Sequence, residues 1–212
     1  MFPRCLKNSA MIVCVLTMVA ALAPPATAQL LGGLSTAAVE TAGAQKVGGT
    51  VGITDEFVSL GGLARIGIAS SFDLGAKVAF VDFQAPLGSS LGLNADGKFQ
   101  ILDVFLQDPF DLAVGPEVTY FRVENVTNWY FGAYVAVSKE FILDNGRGLT
   151  PYGRVGLRLH RVESDTFDDD ELNTGVGVGA AYEIAGYTSL WGELTIEDAG
   201  TGALFGFLYE LR

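Results

Sequence analysis

The stretch Asn173–Asp198, NTGVGVGAAYEIAGYTSLWGELTIED, places its smallest residues at every second position. Gly175, Gly177, Gly179 and Ala181 fall on one side, and Val176, Val178, Ala180 and Tyr182 on the other. A period of two belongs to a β-strand, whose successive side chains point to opposite faces. Glycine inside a strand costs stability through backbone entropy and lost packing. Its repetition on one face predicts a narrow space that larger side chains would overfill.

The same alternation runs through most of the chain and predicts ten strands. They are Lys46–Thr54, Phe57–Ala69, Asp73–Phe83, Lys98–Gln107, Phe110–Glu124, Asn128–Phe141, Thr150–Val162, Leu172–Ile184, Tyr187–Glu197 and Gly202–Leu211. Eight is the alternative count, because the first two strands are glycine-rich and the fourth alternates poorly. Most connections read as tight turns, such as Ser70-Ser71-Phe72 and Gln107-Asp108-Pro109, which join antiparallel neighbours. Two read as longer loops, Gln84 to Gly97 and the acidic Glu163 to Glu171. With ten strands, both loops fall at the end away from the termini, and the terminus end is left with short turns.

Which face meets water follows from the more polar face. A soluble barrel would cover it densely with Lys, Glu, Gln and Thr. Here it carries Gly, Ala, Ser and Tyr with a few charges of both signs: Tyr130, Gly132, Tyr134, Ala136 and Ser138 in the sixth strand, for example. The opposite face is Trp129, Phe131, Ala133, Val135 and Val137. Small residues with sparse opposite charges suit a cramped lumen, and the apolar face suits lipid. The expected fold is all-β, an antiparallel up-and-down transmembrane β-barrel. Aromatic girdles are expected from Phe57, Phe83, Phe110, Tyr120, Trp129, Phe141, Tyr182 and Tyr209.

The first 28 residues have a charged start (Arg4, Lys7), an apolar run from Met11 to Ala23 and an Ala26-Thr27-Ala28 end. That is the layout of a secretory signal peptide cut before Gln29, and the run is too short to span as a helix. Both cysteines, Cys5 and Cys14, lie within it, so the exported chain would have neither thiol nor disulfide. It would keep 11 basic against 24 acidic residues, a net charge of −13, which argues against nucleic acid as a partner. Residues 29–45 read as a periplasmic lead-in and 46–212 as the barrel domain. The high apolar content, 50%, agrees with a lipid-facing surface.

Candidate site residues form a lumen charge cluster: Arg65, Lys77, Arg154 and Arg158 against Asp111, Glu117, Glu140, Glu183 and Glu193. Buried charges must be paired, so the cluster reads as an ion-pair plug or as the gate of a small pore. No cofactor is expected. No metal site is expected either, although Asp165, Asp168, Asp169, Asp170 and Glu171 crowd one loop. They lack the spacing and central glycine of a calcium loop. His160, the only histidine, has no serine at a paired spacing, and a catalytic triad needs a base beside its nucleophile.

TPYGRVGLRLHRVES (Thr150–Ser164), followed by the acidic run and then Asn173–Asp198, resembles the C-terminal half of small bacterial outer-membrane β-barrels of the outer-membrane-protein-A-like family. The matching positions are Pro151, Tyr152, Gly153, Gly156, Gly175, Gly177, Gly179, Tyr182, Leu190 and Glu193. SSFDLGAKVAF (Ser70–Phe80) resembles the family's periplasmic turn and upstroke. Family members usually end in phenylalanine. Here Phe205, Phe207 and Tyr209 alternate toward the end, but Arg212 is last: either Leu211 stands in or the terminal signal is relaxed. The resemblance implies the bacterial outer membrane as location. It implies as partners the membrane's lipid and lipopolysaccharide and the assembly machinery. The implied role is structural or at the surface, with a narrow pore for small solutes as an addition. The competing readings are a soluble periplasmic barrel with an apolar ligand inside, and an outer-membrane lipid hydrolase.

Overall fold

The computed structural model describes residues 33–54, 57–83, 88–164, 168–197 and 200–211. The signal segment and its cleavage point, Asp165 and Arg212 lie outside these residues. The strands are β1 (Gln45–Thr54), β2 (Phe57–Ala69), β3 (Phe72–Phe83), β4 (Ser89–Leu102), β5 (Asp111–Val123), β6 (Val126–Ser138), β7 (Phe141–Ile142), β8 (Gly148–Glu163), β9 (Asp168–Ala185), β10 (Thr188–Glu197) and β11 (Gly200–Leu211). Each long strand pairs antiparallel with its neighbour in the chain. β1 pairs with β11, from Gln45↔Leu211 to Thr54↔Gly202. β6 passes over the two-residue β7 and pairs with β8, with Val135 opposite Val155. The ring is therefore closed by ten long strands, and eight is excluded. Closure removes the free strand edges that an open sheet would expose.

The fourth strand differs from expectation. It starts at Ser89 and ends at Leu102, so most of the expected loop Gln84–Gly97 is strand. Its glycine, serine and asparagine are punctuation only where a chain meets water. Here Ser90, Gly92, Asn94 and Asp96 point inward, while Leu91 and Leu93 point out. Nor is Gln107-Asp108-Pro109 a tight turn. A 3-10 helix, Val104–Leu106, sits between β4 and β5, capped by the Asp103 carboxylate accepting from the Phe105 N–H at 2.8 Å. The acidic stretch also belongs to the sheet from Asp168, with Glu171 opposite His160 and Asp170 opposite Arg161. Both expected loops shrink, and the longer described connections, between β4 and β5 and between β6 and β8, lie at the terminus end. The expected short-turn rim there is not found. Phe105 and Leu106 in the first of these connections, and Ile142 in the second, are exposed at that rim.

The two faces fall as the alternation predicts. Leu60, Phe80, Leu93, Phe131, Leu157, Leu194 and Phe205 lie on the outside, each between 46% and 65% exposed. The inside holds the charged and small residues. Phe57 and Phe83 are exceptions among the expected girdle aromatics, because both point into the lumen. Tyr209 and Phe141 are exposed, as a girdle requires, and Tyr120 packs on Trp129 at 4.6 Å.

The glycine face is explained by what crosses the lumen toward it. A Cβ at Gly177 would stand 3.0 Å from the Glu193 carboxylate, and one at Gly179 would stand 2.6 Å from the Tyr152 ring and 2.5 Å from the backbone oxygen of Gly192. At Gly75 it would collide with Asp96 and Arg65. Glycine thus makes room for long polar side chains reaching from other strands. Since the Gly192 carbonyl belongs to the ladder and cannot step aside, Gly179→Ala should lower stability by about 1–3 kcal/mol. The midpoint of urea unfolding in lipid vesicles measures this; an unchanged midpoint would mean that the lumen has slack.

Candidate functional site

The lumen is filled in three layers. Nearest the far rim is an aromatic layer. Phe57 meets Phe83 at 5.7 Å, Phe83 stacks on Phe121 at 5.8 Å, Phe121 on Tyr130 at 6.1 Å, and Tyr130 on His160 at 4.1 Å. His160 Nε2 is 2.9 Å from Asn128 Oδ1. The histidine therefore ends a column of rings on the β2–β6 side of the lumen.

The middle layer is ionic. Among the described residues, five buried cations (Arg65, Lys77, Lys98, Arg154 and Arg158) face four buried carboxylates (Asp73, Asp96, Glu117 and Glu193). Arg65 bridges Asp73 and Asp96, the latter at 2.6 Å, and Lys98 reaches Asp73 at 3.2 Å. Glu117 on β5 holds both Arg154 and Arg158 from β8. The Tyr134 hydroxyl donates to Asp96 at 3.1 Å, and Arg154 lies 3.9 Å over the Tyr134 ring. A low-dielectric interior tolerates such charges only when they are paired or hydrogen-bonded.

The third layer comes from outside the barrel wall. Residues 33–44, the described part of the lead-in segment, form an irregular chain that is exposed at 41–43 and enters the lumen from the terminus rim. Lumen side chains bind the backbone of this segment. Glu193 accepts from the Gly33 and Leu34 N–H groups at 3.1 and 2.8 Å, and Lys77 donates to the Gly33 carbonyl at 2.6 Å. Lys98 donates to the carbonyls of Thr36 and Ala38 at 3.0 and 2.6 Å. Ser138 Oγ accepts from the Ala37 N–H, Gln100 Oε1 from Val39 and Asp73 Oδ2 from Glu40, at 2.9 to 3.0 Å. Leu34 packs with Leu63, Leu204, Leu208 and Trp191, and Ala37 with Ala113, Tyr134 and Ala136. A Cβ at Gly33 would stand 2.8 Å from Arg154 and 3.0 Å from Glu193, so a side chain there would have to push their tips aside.

The structure divides the sequence-predicted cluster. Arg65, Lys77, Glu117, Arg154, Arg158 and Glu193 meet in the lumen. Asp111 points inward but accepts from Gln100 and the Val104 N–H, at 3.1 and 2.9 Å, so it secures the 3-10 turn. Glu183 accepts from the Gly148 N–H at 3.3 Å near the terminus rim, and Glu140 is exposed there. These three are not part of the ion-pair network, because each strand's outermost inward position faces the mouth of the lumen. Among the described residues no group of acidic or imidazole side chains is arranged to hold a metal. Asp169, Asp170 and Glu171 are exposed on β9.

Sequence reasoning missed Asp73, Asp96 and Lys98. Asp73 shares a face with Lys77 by period two and was within reach. Asp96 and Lys98 were hidden by reading Gln84–Gly97 as loop. The bound segment gave no signal, since nothing in GLSTAAVETAGA alternates.

No family model matches the chain, and no curated protein matches it in sequence. Among solved structures, the β domain of the Bordetella autotransporter BrkA is similar over 80% of this chain and 100% of that one. The identity is 12% and the TM-score 0.53. KdgM porin is similar over 79% and 99%, with 11% identity and a TM-score of 0.41. A de novo designed transmembrane β-barrel is similar over 82% and 99%, with 15% identity and a TM-score of 0.39. The likeness to the autotransporter domain shows the fold. It is that of a transmembrane β-barrel.

Proposed function

We propose that this protein is an outer-membrane β-barrel with a structural, surface-displaying role, closed at rest by its own N-terminal segment. The observation that carries this reading is the stretch from Gly33 to Glu40 inside the lumen, bound through its backbone by Glu193, Lys77, Lys98, Ser138, Gln100 and Asp73. The outward apolar face supports lipid as its surroundings, with lipopolysaccharide among the molecules that would lie against it. The motif likeness of Thr150–Asp198 to outer-membrane-protein-A-like barrels supports the same location, and with it dependence on the outer-membrane assembly machinery.

The competing readings have less support. A soluble barrel with an apolar ligand inside needs an apolar cavity, whereas this interior is packed with ion pairs and backbone. A lipid hydrolase needs its base beside a nucleophile at the lipid face. His160 is stacked on Tyr130 inside the barrel and bonded to an asparagine.

The test is fractionation with and without detergent, then gel migration of boiled and unboiled protein. Recovery with outer membranes and a heat-dependent shift are expected. Release into a detergent-free periplasmic extract would defeat the reading.

A further inference from the structure

The segment is bound in a way that leaves the barrel complete without it. Backbone pairing ties it to the wall only at its root. There the Gly43 N–H donates to the Gly67 carbonyl at 2.9 Å and the Gly67 N–H to the Ala44 carbonyl at 3.0 Å. Deeper in, three of the wall side chains that hold it keep other partners. Glu193 also accepts from the Tyr152 hydroxyl at 2.7 Å, Asp73 also holds Arg65, and Lys98 also holds Asp73. Withdrawal would therefore leave Asp73 and Lys98 paired, Glu193 hydrogen-bonded to Tyr152, and every ladder intact. The segment's own side chains are small except Leu34, Val39 and Glu40. Leu34 sits at φ 34°, a left-handed conformation that a leucine adopts only under constraint. Exposed Gly43, at φ 85°, stands at the root as a ready hinge.

Two further observations say what a withdrawn segment would open. Opposite the aromatic column, the far half of the lumen is walled by small and polar residues: Gly52, Asn173, Gly175, Thr195 and Gly202. The Asn173 amide and the Thr195 hydroxyl are at least 95% buried and have no hydrogen-bond partner among the described residues. Buried polar groups in that state are ones that an ordered water would satisfy. At the terminus rim lies a cavity of about 480 Å³ bordered by the segment at Thr36, Ala38 and Glu40. Its wall carries Asp111, Glu140, Glu183 and Glu210, with Lys46 as the cation, and Lys46 is paired to Glu40 at 2.7 Å. A mouth with such an excess of carboxylates concentrates cations and sets which ions enter.

We propose that Gly33–Ala44 is a displaceable gate, and that with the gate withdrawn the barrel conducts small cations. This rests on the reading of the protein as a membrane barrel. The test uses the full-length protein in planar bilayers, after the heat-dependent gel shift has confirmed a folded barrel for each variant. Ala37 is fully buried against Ala113 and Ala136, so Ala37→Glu cannot seat while the wall is untouched. Wild-type protein should be silent or open rarely. Ala37→Glu should raise open time at least tenfold, with a reversal potential on the cation side in a potassium chloride gradient. The pair Ala37→Cys with Ala136→Cys should be silent when oxidised and recover wild-type openings on reduction. A heat-shifted, inserted Ala37→Glu barrel that stays silent overturns the gate, and anion preference overturns the selectivity. Absence of the heat shift in the wild type would overturn the barrel reading and the gate with it.

Discussion

Glu117→Ala should lower the unfolding free energy by about 3–5 kcal/mol, the largest loss expected from one change inside the barrel. Glu117 is 6% exposed and is the carboxylate bonded to both Arg154 and Arg158. Truncation leaves two buried guanidinium groups without it, and the penalty is chiefly that of uncompensated charge. Arg154 would keep its position over the Tyr134 ring, which softens the loss without cancelling it. Glu117→Gln retains an accepting oxygen but no charge, so its cost should fall between wild type and alanine. Urea unfolding of protein folded into lipid vesicles, followed by tryptophan fluorescence, measures all three. A loss below about 1 kcal/mol for alanine would mean that the pair behaves as a solvated surface pair. The lumen would then be wet throughout.

Leu157→Arg should cost about 2–4 kcal/mol, and the neighbouring position shows why. Leu157 is 50% exposed on the outer face, opposite Ala133 near the middle of β6. Arg158, one residue on, is buried inside and bonded to Glu117. Alternation alone places a cation at one position in the ion-pair layer and at the other in mid-membrane hydrocarbon. If the outer face were instead in water, the change would fall within about 0.5 kcal/mol, as exposed substitutions do. The same unfolding assay decides it. It also separates a lipid-facing barrel from a soluble one independently of fractionation.

Both faces of this barrel were legible in the sequence because a barrel wall is a strict two-period object. Gly175, Gly177 and Gly179 announced the crowded side, and Val155, Leu157 and Leu159 the lipid side. Legibility failed where lumen chemistry imitates loop chemistry. Ser90, Asn94 and Gly97 read as turn residues, yet the first two line the lumen and Gly97 continues the strand opposite Leu74. Asp168 to Glu171 read as a solvated loop, yet their backbone continues the β8–β9 ladder beyond the buried part. Phe57 and Phe83 carried the signature of a girdle, but strand parity turns them inward, where they pack with Phe121. The charge cluster was half visible, since pattern assigns a residue to a face but not to a depth. Asp111, Glu140 and Glu183 have the right face and the wrong depth.

The Gly33–Glu193 hydrogen bond joins residues 160 apart in sequence. Glu193 reaches its place only when β10 has docked and β11 has met β1, so the earliest-made of the described residues cannot find their seat until the last strand has closed the ring. Loop-closure entropy makes such distant contacts late events in folding. Assembly therefore has a built-in order, wall first and occupant second. Throughout the interval Gly33–Ala44 is an unsheltered strand-length peptide, open to whatever protease or chaperone attends the nascent barrel.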